Sequence, residues 1–364
     1  VRYEIFRCRE STTEEQKELC YQKHVPRLID EGVSLEKVFS VVTGILREDT
    51  GYQSCHVLAH LIAGKEVAKD PAQWKTVLLR VPTNICGSGA LHGAFQERFK
   101  VESMPDVTTE KMRELLDGVC DPQDTWNPTL LDRSSCMHGM GHMFLYITNA
   151  NVGRSIELCE ALGRKSDRDF RQTCMEGVFM QVYQPIDQED ENLVRDLYDA
   201  SRDTKAFCAP FKGLAHLSCV KETWPAVKDS ATNPDIYTAL CRQLKDPDDA
   251  RYCASGMMYP VIEMLHYDIP VIEQFCEALQ DQEFRNICWA RTASKMVWAD
   301  WSQAKKAVAI CQSAPKSAAE GCWNELLNFA STGMPKGSTE AHALCEGMPE
   351  PYRSQCSDAV QSDV

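Results

Sequence analysis

The sequence predicts an all-α fold, an α-solenoid of helical hairpins stapled by intra-repeat disulfides. Three observations carry that expectation. Eighteen cysteines fall into pairs of near neighbours. The second cysteine of each pair recurs with a period of about 34 residues, the length of a helix–turn–helix repeat. Between the cysteines, apolar residues recur at i, i+3, i+4 and i+7, the spacing of one helix face.

The cysteines come first because they set the frame. Their number is even, and no two lie closer than eleven positions. Zinc ribbons need CxxC-like spacing to bring two thiolates to one ion from a tight turn, so disulfides are the expectation. Bridges persist in oxidising compartments, which implies a secreted, extracellular or periplasmic location. Pairing neighbours gives Cys8–Cys20, Cys120–Cys136, Cys159–Cys174, Cys208–Cys219, Cys241–Cys253, Cys276–Cys288, Cys311–Cys322 and Cys345–Cys356, and leaves Cys55 for Cys86. The chain opens on Val1 rather than Met, as expected if an upstream segment has been removed. It carries no N-x-[ST] sequon with an allowed middle residue.

The repeat follows from the second cysteines. From Cys219 to Cys356 the steps are 34, 35, 34 and 34 residues, and upstream of Cys219 they are 45 and 38. The segment from Ile269 to Val297 reads as a helix, a short polar turn and a second helix, and those around Cys241 and Cys311 repeat the layout. Asp and Pro fill the turns, as helix starts require. The first cysteine falls near the end of one helix and the second near the start of the next, so a bridge closes the mouth of each hairpin. In period and helix pairing the layout resembles TPR-like and HEAT-like solenoids. The Trp, Gly, Tyr and Pro positions of the TPR consensus are absent. Three regions are expected: an N-terminal helical cap over 1–50, irregular His-rich repeats with the expected metal site over 51–185, and regular stapled repeats over 186–364. The acidic run from Asp187 to Asn192 reads as an exposed connection or helix start.

Charge narrows the partners. A formal net charge of -14 disfavours nucleic acid and anionic lipid, which need basic surfaces. No apolar run reaches the roughly 18 residues of a membrane span. The expected partner is another protein on the solenoid surface. GxSxG, P-loop and dinucleotide fingerprints are missing.

Chemistry concentrates in the histidines. His56 and His60 stand at i and i+4, as do His138 and His142, so each pair shares a helix face and can reach one metal ion. Counted from the second cysteine, His138 is two past Cys136 and Glu176 two past Cys174. His92 is six past Cys86 and His142 six past Cys136. His56 and His60 are one residue out of that register. Five imidazoles and one carboxylate are therefore expected to line one groove as metal ligands, with Glu176 the best candidate acid/base and His216 a possible extra ligand. The regular repeats place Ser255, Ala290 and Asn324 two past the cysteine and no histidine six past. Gly87, Gly89, Gly93, Gly139 and Gly141 suggest close backbone approach or room for a ligand. His24, His266 and His342 read as ordinary residues. With the thiols consumed in bridges, imidazole and carboxylate suit copper, iron or zinc, with copper preferred in an oxidising compartment. Met137, Met140, Met143, Met175 and Met180 lie near enough in sequence to assist Cu(I), although the first three also fit a core stripe. Two functions follow: a metal-dependent oxidoreductase, with a metallohydrolase behind it, or a non-enzymatic binding or assembly scaffold with a structural metal or none.

Overall fold

A computed structural model describes residues 2–11, 13–49, 55–81, 86, 89–99, 108–116, 118–122, 128–165, 167–185 and 188–361. Among these residues the chain is helical throughout, with one isolated bridge between Arg164 and Asp169 and no strand. It divides into two compact units, one of residues 1–127 and 133–201, the other of 128–132 and 202–364.

The first unit holds α1 (Arg2–Arg7), α2 (Glu14–His24), α3 (Arg27–Asp30), α4 (Leu35–Glu48), α5 (Cys55–Val67), α6 (Trp74–Arg80), α7 (Gly89–Phe99) and α8 (Thr109–Leu116). It continues with α9 (Leu130–Ile147) from Arg133 onward, α10 (Val152–Leu162), α11 (Arg171–Tyr183) and α12 (Gln188–Ser201). Amphipathic α4 buries Leu35, Val38, Phe39, Val42 and Ile45 along one stripe. By contrast α5, α7, α9 and α11 bury residues on nearly every side, as central helices do. The acidic run lies partly outside the described residues, at Asp187. Its Asp190 is fully buried on α12, where Oδ1 accepts a 2.9 Å bond from Gln96 Nε2. That partner on α7 is invisible in the local sequence.

The second unit is the regular one. It runs α13 (Thr204–Cys208), α14 (Gly213–Glu222), α15 (Pro234–Arg242), α16 (Pro247–Met264), α17 (Ile269–Ala278) and α18 (Gln282–Ala299). Then follow α19 (Ala304–Ser313), α20 (Lys316–Gly333), α21 (Thr339–Glu346) and α22 (Tyr352–Val360). Side-chain caps start most of these helices. Asn233, Asp246, Asp268 and Asp281 each accept from backbone N–H groups of the first turn, and proline follows three of them directly or one residue on. The longer second helices α14, α16, α18, α20 and α22 pack side by side in order, and α15 packs on α17 and α19 on α21.

All 18 cysteines are bridged, each with a near neighbour. The bonds join Cys8 to Cys20, Cys55 to Cys86, Cys120 to Cys136, Cys159 to Cys174, Cys208 to Cys219, Cys241 to Cys253, Cys276 to Cys288, Cys311 to Cys322 and Cys345 to Cys356. Their Cα atoms stand 5.0 to 5.7 Å apart. In the regular repeats the first cysteine closes the shorter helix, and the second lies about two turns into the longer one, seven past the cap residue at Cys219, Cys253, Cys288 and Cys322. Both sulfurs are then in the core: Cys276 and Cys288 are fully buried. Replacing Cys276 and Cys288 together by alanine is expected to cost about 3 kcal/mol, the chain-entropy worth of so short a loop. Urea unfolding of the variant checks it; a midpoint within error of the parent would show the staple to be idle.

Candidate functional site

The histidine-bearing helices of the first unit are drawn together by glycine. A Cβ placed on Gly89 or Gly93 of α7 would fall inside 3.0 Å of the backbone carbonyls of His56 or His60 on α5. On α9 and α11 the relation is mutual. A Cβ on Gly141 would strike the carbonyl of Cys174, and one on Gly177 the carbonyl of His138. Gly139 gives room of another kind, since a Cβ there would meet the ring of His92 at 2.8 Å. Helix backbones thus approach directly, with no side chain between them. Gly87 lies outside the described residues.

Backbone contact brings the rings into contact. The His92 ring has its centroid 4.9 Å from that of His56, 5.3 Å from His138 and 5.2 Å from His142, and His138 and His142 are 5.0 Å apart. Polar contacts define the tautomers. His92 Nε2 lies 3.2 Å from the Ser135 carbonyl, which only accepts, so that nitrogen carries the proton. His92 Nδ1 then accepts from His56 Nε2 at 3.1 Å. His142 Nδ1 donates to Gln181 Oε1 at 2.6 Å, and its Nε2 is buried with no hydrogen-bond partner. His60 bonds to Gln96, whose own amide nitrogen is anchored on Asp190. His138 Nε2 stands 3.2 Å from Met180 Sδ.

Three of the rings are held neutral. Burial, with the neighbouring His56 and His142 adding to it, pushes His60 down to about 3 against the Gln96 bond. Burial lowers His142 to about 4, opposed by its Gln181 bond and helped by His56. Burial and four neighbouring imidazoles hold His92 well below the ordinary histidine range. A neutral imidazole keeps one lone pair for a proton donor or a metal.

The remaining candidates have contacts of their own. Glu176 is buried on α11, and its Oε1 receives Gln172 Nε2 at 3.4 Å. His216 belongs to the second unit, where its Nδ1 lies 3.0 Å from the Cys208 carbonyl. Met137, Met140, Met143 and Met175 are buried in the core. Among the described residues, no three His, Cys, Asp or Glu side chains are arranged to hold one metal ion. What the sequence reading missed are the groups that orient the rings: Gln96, Gln181 and the Ser135 carbonyl. The available signal was a glutamine within an apolar stretch, as Gln181 is between Met180 and Val182 on α11.

On α18 of the second unit, by contrast, two basic side chains form ion pairs. Arg291, three past Cys288, reaches Ser255 and Glu325, while Lys295, seven past, bonds Glu263 at 2.5 Å under the ring of Trp298. Against models of protein families, curated proteins and solved structures, the chain matches none.

Proposed function

We propose that this is a transition-metal-binding helical-repeat protein of an oxidising, secreted or periplasmic setting, with the imidazoles of His56, His60, His92, His138 and His142 as its ligand set. One observation carries the reading: the buried, unpartnered Nε2 of His142, whose other nitrogen donates to Gln181. That is the state in which histidine meets a metal, one nitrogen hydrogen-bonded to fix tautomer and orientation, the other bearing a lone pair. Nine bridges consume the thiols and leave imidazole as the main donor, a chemistry suited to copper, zinc or iron. Two nitrogens on one tetrahedral ion stand about 3.3 Å apart at bond lengths of about 2.0–2.1 Å. That is close to the 3.1 Å between His92 Nδ1 and His56 Nε2, so an ion can take the place of the shared proton with small ring movements. If the bound ion keeps an open position, an oxidoreductase follows; if its ligands are saturated, the metal is structural and the second unit serves as a protein-docking scaffold.

A second reading, a metal-free polar core inside a scaffold, is favoured by His92, both of whose nitrogens already have partners. Elemental analysis of full-length protein purified without a metal-charged column separates the two. At least one equivalent of copper, zinc or iron is expected, lost in His142→Ala and His92→Ala and kept in the surface variant His342→Ala. A protein that stays metal-free after incubation with each ion, and whose His142→Ala variant is indistinguishable from it, would leave the polar core standing.

A further inference from the structure

The repeat register points past the imidazoles to a sixth side chain. The residue six past the second cysteine is His92 in one repeat, His142 in the next and Met180 in the one after, counted from Cys86, Cys136 and Cys174. Met180 therefore occupies, on α11, the position that carries an imidazole on α7 and α9. Its sulfur is 3.2 Å from His138 Nε2. The other methionines of the region, Met137, Met140, Met143 and Met175, are buried, Met140 with its sulfur 3.5 Å from Cys120 Sγ. After Met180 the series ends, with Tyr259, Ser294 and Asn328 at the equivalent places on α16, α18 and α20.

From this we infer that Met180 is a metal ligand, and that His138, His142 and Met180 form a site for cuprous copper. The inference rests on the metal-binding reading above and narrows it to one ion. A thioether is a soft, uncharged donor. It contributes little to Zn(II) or Fe(II), which are served by imidazole and carboxylate, and it is a preferred partner of Cu(I). Placing sulfur where earlier repeats place nitrogen turns a general imidazole site into a copper-selective one. Two imidazoles and a thioether are neutral, so burying a monovalent cation among them leaves one uncompensated charge where Zn(II) would leave two, and desolvation also favours Cu(I). The lone pair on His142 Nε2 is available in the tautomer its Gln181 bond defines.

Met180→Leu removes the sulfur and nearly preserves volume, and Met175→Leu is the matched control in the core. Both full-length variants and the parent are titrated with Cu(I) under anaerobic conditions against a chromophoric chelator, and separately with Zn(II); circular dichroism verifies the fold. Met180→Leu is expected to weaken Cu(I) at least about ten-fold, the lower end of what loss of even an outer-shell partner costs a metal site, and to leave Zn(II) affinity unchanged. Met175→Leu is expected to change neither. X-ray absorption of the Cu(I)-loaded parent should show a sulfur neighbour that is missing in Met180→Leu. Unaltered Cu(I) affinity in Met180→Leu, an equal loss for Zn(II), or nitrogen-only scattering in the parent would overturn the copper site while leaving the imidazole site in place. A parent that takes up neither ion would overturn both.

Discussion

Gly93→Ala is expected to destabilise the first unit by about 3 kcal/mol or more, a large effect for one methyl group. The added Cβ has nowhere to go. Its nearest neighbours are the carbonyl oxygen, carbonyl carbon and Cα of His60, all backbone atoms of a packed helix. Relief requires α5 and α7 to separate, and separation pulls His56 away from His92. Gly177→Ala presses in the same way on the backbone of His138. Gly321→Ala makes the opposite prediction. It lies exposed within α20, with nothing inside 4 Å of the new atom, and should gain up to about 1 kcal/mol from helix propensity alone. Thermal unfolding of the three variants tests the contrast; if Gly93→Ala melts with the parent, the direct backbone contact described for α5 and α7 is wrong.

Acid should begin to destabilise the metal-free protein from about pH 6.5 downward, before its carboxylates are titrated. In the unfolded chain the histidines take up protons near pH 6.5. In the folded chain His60 and His142 resist until about pH 3 and 4, and His92 is also held low. Between these limits the unfolded state binds more protons, so stability falls as pH falls. From pH 7 to 4.5 each of His60 and His142 should forfeit on the order of 2 kcal/mol. Urea unfolding in the presence of a chelator measures this directly. His60→Gln should flatten the slope. A stability independent of pH over that interval would mean that the rings are not sealed from water.

The fold was readable because cysteine is a sparse marker. Its spacing reports helix pairing in a way that scattered apolar residues do not; counting from it singled out His92, His138 and His142, the i, i+4 spacing with His60 added His56, and these rings lie in contact. Register along one helix, however, says nothing about the helix opposite. That Gly93 faces the His60 carbonyl, that Gln181 meets His142 and that Gln96 bonds Asp190 are facts of tertiary packing. Asp190 makes the point most plainly. Within a run of acidic residues it looks solvated, yet it is a core residue that takes a bond from α7, far away in sequence.

The staples carry one more implication, for how the chain reaches its fold. Every bridge joins cysteines that are nearest neighbours along the chain, between 11 and 31 residues apart. The correct partner is then always the first to arrive when synthesis proceeds from the N-terminus, and closing so short a segment takes well under a microsecond to microseconds once the chain is free to move. Oxidation can therefore run vectorially, hairpin by hairpin, with little call for shuffling by an isomerase. Eighteen thiols admit an enormous number of pairings, and the order of emergence alone selects one.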